Sequence, residues 1–91
     1  MKVGDRPWFL YVVHCSDGTL YTGVTTDVKR RVDEHNVGIR GAKYTAARRP
    51  VRLIYVSYYV NRSGAQKAEH KFKKLTRKQK DEVISESRRF S

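Results

Sequence analysis

The chain has a single cysteine, two prolines and one tryptophan among 91 residues, and no apolar run approaches the roughly 20 residues needed to span a bilayer. The lone Cys15 cannot form an internal disulfide, which suits a reducing cytoplasm, and its apolar neighbours mark it as a strand residue rather than a nucleophile. Acids are scarce as well. Asp+Glu 9 against Lys+Arg 20 leaves a formal net charge of +11, an excess that predicts attraction to a polyanion. Nucleic acid fits that role better than an anionic membrane, because no helix with a bulky apolar face is visible. The opening MKVGDRPWFLYVV places an acid and a proline where a secretory signal would be apolar. At this length one domain, 1–91, with one modest core is expected, acting as a cytoplasmic monomer.

What is present reads as β-β-α-(α)-β-α-α. Trp8 to Cys15 and Thr19 to Thr25 are rich in aromatic and β-branched residues, with an Asp-Gly turn signal between them, so they predict a hairpin. Thr26 or Asp27 can cap a helix over about Asp27 to Val37, and the glycines of NVGIRG can end it. GAKYTAARRP predicts a short helical turn stopped before Pro50. VRLIYVSYYV predicts a third strand, and the apolar run Leu53, Ile54, Tyr55, Val56 suggests that it lies centrally, covered on both faces. Ser63 with Gln66 matches a capping box for a helix to about Leu75, and Thr76 with Gln79 matches another for the last helix. The expected fold is α+β, a small three-stranded antiparallel-type sheet flanked by helices.

Both long inner helices carry polar groups where apolar ones belong. Val28, Arg31, Val32 and His35 share one stripe at i, i+3, i+4 and i+7, although Lys29, Arg30, Asp33 and Glu34 fill the remaining directions. The alternative is that Arg31 and His35 sit at the margin of the stripe and snorkel outward. In the next long helix Ala65, Ala68, Glu69 and Phe72 repeat the pattern, and an inward carboxylate needs a metal, an arginine or backbone donors as partner. A purely structural Glu69–Arg31 pair would satisfy it. If Tyr11, Tyr21, Arg31, His35 and Glu69 converge, their hydroxyls, guanidinium, imidazole and carboxylate suit phosphodiester hydrolysis.

These residues resemble the GIY-YIG nuclease family, in particular its small stand-alone members. Phe9 to Tyr11 (FLY) is similar to the GIY element and Tyr21 to Gly23 (YTG) to the YIG element, while EHN at Glu34 to Asn36 and GAKYT at Gly41 to Thr45 complete the likeness. Phe9, Thr22 and Val24 depart from the pattern, and no asparagine follows Glu69, which leaves Lys73 or Lys74 as substitutes in the supporting set. The resemblance implies a metal-dependent endonuclease with a role in DNA repair or processing. Glu69 would hold one Mg²⁺ or Mn²⁺, Arg31 the phosphate, Tyr11 would act as general base with Tyr21 positioning water or phosphate, and His35 is an alternative proton relay. Single-stranded or structured DNA is favoured over RNA by the same analogy.

Lys29, Arg30, Arg40, Lys43, Arg48, Arg49 and Lys73 are the candidate phosphate contacts. A non-catalytic nucleic-acid-binding module, or a basic protein packed in a ribonucleoprotein, would use the same cations. An active site imposes one further condition, on the hairpin. A two-residue Asp17-Gly18 turn would pair Tyr11 with Val24 and put the two tyrosines on opposite faces. A three-residue Ser-Asp-Gly loop with left-handed Gly18 would pair Val13 with Tyr21 and return both to one face, and this loop is the expectation.

Overall fold

A computed structural model of the chain describes residues 6–38 and 40–89; Ile39, within the expected helix stop, lies outside them. WFLYVVH forms β1 (Trp8–His14), and LYTGVT forms β2 (Leu20–Thr25) antiparallel to it. β3 (Arg52–Tyr59) pairs antiparallel with the other side of β1, so the sheet order is β2-β1-β3. α1 (Val28–Val37) and α2 (Lys43–Ala46) lie between β2 and β3 in sequence, and α3 (Arg62–Lys73) and α4 (Arg77–Arg89) follow.

The central strand is therefore β1, not β3 as the apolar run suggested. Leu10, Tyr11, Val12 and Val13 are all at most 2 % exposed, whereas Leu53 and Val56 are 39 % and 43 % exposed. The misleading run comes from a bulge. Val12 pairs with Tyr55 but Val13 pairs with Leu53, so Ile54 is an extra residue and the alternation of β3 breaks there.

Side-chain alternation along β1 divides the core in two. Leu10 and Val12 face Phe72 of α3 and Ile84 of α4, each such buried side chain contributing about 1.5–3 kcal/mol. Tyr11, Val13 and Cys15 face the other way, with Val51 and against Val28 and Val32 of α1. That second face carries the tyrosines.

The helix starts follow their caps. The Asp27 carboxylate accepts the Arg30 N–H at 3.1 Å. Thr76 and Gln79 form the reciprocal box, with Thr76 N–H to Gln79 Oε1 at 2.9 Å and Gln79 N–H to Thr76 Oγ1 at 3.2 Å. The Ser63–Gln66 box does not form. Asn61 caps α3 instead, its Oδ1 accepting the Gly64 N–H at 3.0 Å. Asn and Ser cap about equally well, and the earlier residue extends the helix with no loss of a cap. Among the described residues no helix is long and apolar enough to cross a membrane.

Candidate active site

The hairpin takes the three-residue loop. Cys15 N–H donates to Thr19 O at 2.8 Å, Gly18 N–H donates to Cys15 O at 3.0 Å, and Gly18 has φ +86. The Asp17 carboxylate accepts from the Thr19 hydroxyl at 2.6 Å and the Thr19 N–H at 3.1 Å, and these bonds hold it below the usual carboxylate range. Val13 thus pairs with Tyr21 and Tyr11 with Gly23, which puts both phenols on the α1 side.

Gly23 has a steric reason to be glycine. A Cβ there would stand 2.5 Å from the Tyr11 hydroxyl oxygen and 2.7 Å from Cζ. Without one, the Tyr11 ring lies across β2 and reaches α1. Its hydroxyl meets His35 Nε2 at 2.7 Å, and the ring centroids of Tyr11 and His35 are 5.7 Å apart. Tyr21 joins the cluster edge-on, 5.2 Å from His35 and 6.5 Å from Tyr11. Its far side stacks on Tyr44 at 5.9 Å.

His35 is fully buried, as the stripe on α1 requires. Its Nδ1 meets Thr45 Oγ1 at 2.8 Å. Burial, and then the nearby Arg31 charge, push its pKa down from 6.5 to about 4, so it is neutral at physiological pH. Burial likewise raises Tyr11 to about 12, against the opposing pull of the Arg31 guanidinium beside it.

Arg31 lies half-buried at the edge of the same stripe, its Nη1 donating to Glu34 Oε1 at 3.0 Å and to the Arg40 carbonyl at 2.7 Å. Burial works against its charge, but the bonds to Glu34 and Tyr11 outweigh it and raise its pKa. The sequence had given Glu34 to solvent. The Arg31–Glu34 pair lies within α1 at i,i+3 and the chain beyond the helix adds the Arg40 carbonyl, whereas the Arg31–Glu69 pair is not what forms. Glu69, its side chain 21 % exposed, pairs with Lys73 one turn on at 3.2 Å. Its charge still opposes ionisation of Tyr11, so α3 brings it into electrostatic reach of that phenol.

The donor set is one half-buried carboxylate in electrostatic reach of the Tyr11 phenol. That fits a hard cation which keeps most of its waters and takes the rest of its ligands from a phosphate. Among the described residues no cluster of three His, Cys, Asp or Glu side chains forms a full protein cage. Glu69 could hold such an ion, once released from Lys73.

The cations proposed for phosphates divide. Lys29, Arg30, Arg40 and Lys43 are exposed. Arg49 is committed to the fold, its Nε donating to His35 O at 2.5 Å and its Nη2 to Gly38 O at 2.6 Å, where it closes the C-terminus of α1. Arg48 donates to the Asp17 carboxylate at 2.9 Å and lies 3.9 Å over the Tyr44 ring. Lys73 faces Glu69. Thr45 and Asn36, neither singled out by the sequence, are also placed here; Asn36 clamps Val51 through bonds of 2.6 Å and 3.0 Å. Only their position in the EHN and GAKYT stretches could have signalled them.

Residues 7–82 match the GIY-YIG catalytic domain. The chain belongs to the GIY-YIG family. It is 49 % identical over 84 residues to the UPF0213 protein DP2720 of Desulfotalea psychrophila, covering 91 % of this chain and 76 % of that one. The UPF0213 protein lin0209 of Listeria innocua is 56 % identical over 78 residues, 86 % of each chain. UPF0213 proteins are small stand-alone GIY-YIG proteins, and this GIY-YIG chain shares their fold. The NMR structure of EF2693 from E. faecalis superposes with a TM-score of 0.64 at 44 % identity, over 96 % of this chain and 94 % of that one. That of the UPF0213 protein BH0048 from Bacillus halodurans gives 0.57 at 38 % identity, over 87 % and 83 %. The GIY-YIG assignment implies a nuclease-type fold whose substrate is a nucleic acid.

Proposed function

We propose that this protein is a divalent-metal-dependent endonuclease acting as a single domain on DNA, with single-stranded or structured DNA favoured and a role in repair or processing in the cytoplasm. The observation that carries the reading is the convergence of Tyr11, Tyr21, His35 and Arg31 from two strands and a helix, with Glu69 in electrostatic reach. A stable core has no need to group two phenols, an imidazole and a guanidinium at one edge.

A divalent ion at Glu69 would supply charge for the phosphate and acidity for a bound water. Arg31, held in place by Glu34 and the Arg40 carbonyl, neutralises charge that builds on the phosphate as water attacks. Tyr11 takes the water proton in its minor phenolate form, which Arg31 favours. Tyr21, half-buried beside Tyr11, orients water or phosphate. His35 is unsuited to meeting water itself, because Tyr11 occupies its Nε2 and Thr45 its Nδ1. Its place is behind the base.

One observation favours a non-catalytic binding module instead, namely that Lys73 already neutralises Glu69. Glu69→Gln separates the two readings, because it removes the ligand charge at nearly constant volume. Cleavage of labelled single-stranded and duplex DNA and RNA, with Mg²⁺, Mn²⁺ or EDTA, should be lost in this variant while DNA affinity persists. An i,i+4 pair whose lysine is more than half exposed is worth under about 1 kcal/mol, so the fold should be unaffected. Cleavage at the wild-type rate would refute the metal assignment.

A further inference from the structure

Thr45 has no part in the mechanism above, yet it is 0 % exposed and its hydroxyl meets the one imidazole of the site. A neutral imidazole carries its proton on one nitrogen only, and the partners of the two nitrogens decide which. Two groups face Nδ1. The Ala42 backbone N–H, at 3.4 Å, can only donate. The Thr45 hydroxyl, at 2.8 Å, can donate or accept.

The hydroxyl proton has two destinations, Nδ1 or the Ala42 carbonyl at 2.9 Å. That carbonyl already receives the Thr45 N–H at 3.1 Å and the Ala46 N–H at 3.2 Å, because α2 turns directly after it. Its two lone-pair directions are thus in use, whereas Nδ1 has only the long contact from Ala42. A Thr45 proton directed to Nδ1 leaves the ring proton on Nε2.

We infer that Thr45 is a positioning residue, holding His35 as the Nε2–H tautomer so that the imidazole donates its hydrogen bond to the Tyr11 oxygen. This rests on the nuclease reading and specifies how its base is assisted. A bond donated to the phenolic oxygen strengthens as that oxygen becomes negative. With the opposite tautomer Tyr11 would have to donate to Nε2, which stabilises the neutral phenol and works against its use as a base. The four residues of α2 present the hydroxyl that makes the difference.

Long-range ¹H–¹⁵N correlation spectra of ¹⁵N-labelled protein, with His35 assigned by His35→Gln, read the tautomer without any activity. The expected result is a pyridine-type nitrogen at Nδ1 in wild type and Thr45→Ser. In Thr45→Val that resonance should move toward the unbonded position, with kcat on single-stranded DNA falling about tenfold at unchanged KM and Thr45→Ser restoring it. A protonated Nδ1 in wild type, an unmoved Nδ1 resonance in Thr45→Val, or an unchanged kcat would each overturn the inference. If wild type cuts no nucleic acid the nuclease reading fails by itself, and the spectra still decide the tautomer. If Thr45→Val does not fold, wild type and Thr45→Ser decide it.

Discussion

Replacing Gly23 with alanine should be costly only because Tyr11 is a tyrosine. The new Cβ would stand 2.5, 2.7 and 2.9 Å from the Tyr11 hydroxyl oxygen, Cζ and Cε1. The ring has little room to yield, since it is 1 % exposed and its oxygen is tied to His35 at 2.7 Å. Overpacking of this kind costs about 1–3 kcal/mol, and loss of the Tyr11–His35 bond adds about 1 kcal/mol. Alanine in a strand interior recovers about 0.5–1 kcal/mol relative to glycine, so the net loss should be about 2 kcal/mol. In a Tyr11→Leu background all three clashing atoms are gone, and the same substitution should be neutral or stabilising by about 0.5 kcal/mol. The expected coupling is therefore about 2–3 kcal/mol. Urea unfolding of the four proteins of this cycle measures it. Gly18→Ala is the control: nothing lies within 4 Å of its Cβ, but φ +86 makes it costly whatever stands at residue 11. Additivity at Gly23 and Tyr11 within about 0.5 kcal/mol would refute the account of why a glycine stands opposite Tyr11.

His35 gives a pH dependence of stability. Its pKa falls from 6.5 to about 4 on folding, so it contributes about 3 kcal/mol that is fully present above pH 6.5 and lost as pH falls through about 4. Urea midpoints of wild type and His35→Gln should converge over that window, and a wild-type advantage that survives at pH 4 would contradict it. Asn61→Ala should cost about 1 kcal/mol and Ser63→Ala almost nothing in the same assay, the reverse of what the capping-box sequence suggests. For DNA binding, alanine at Lys29, Arg30, Arg40 or Lys43 should each lower the salt slope by about 1, whereas Arg49→Ala should destabilise the fold instead. A flat salt dependence in wild type would remove nucleic acid as the partner.

The sequence carried those features that depend on local periodicity. His35 and Glu69 were visible because a charge at i+3, i+4 or i+7 from apolar residues has to turn inward. The hairpin register was visible because only an odd loop brings two tyrosines ten positions apart onto one face. Features set by distant chain segments were not. The apolar run at Leu53 to Val56 is read from sequence as two-sided burial, yet it arises from a bulge against β1. The Arg31–Glu34 pair is local, at i,i+3, but the Arg40 carbonyl that holds the same Arg31 nitrogen comes from the chain beyond α1. Gly23 and Thr45 owe their roles to groups across the sheet and across a loop, which no window along the chain contains.

The charges around Tyr11 form a consistent set. Arg31 keeps its charge because Glu34 and Tyr11 outweigh the cost of burial, and a second cation on His35 would face it across the same phenol. The imidazole escapes that repulsion by remaining neutral, and it then acts on Tyr11 through a hydrogen bond rather than through charge. Glu69 opposes ionisation of Tyr11 while it carries an uncompensated charge. Lys73 moderates that opposition in the free protein, and a divalent cation at Glu69 would reverse its sign. A cation at Glu69 would thereby favour ionisation of Tyr11, although burial, more than Glu69, is what holds the phenol at about 12.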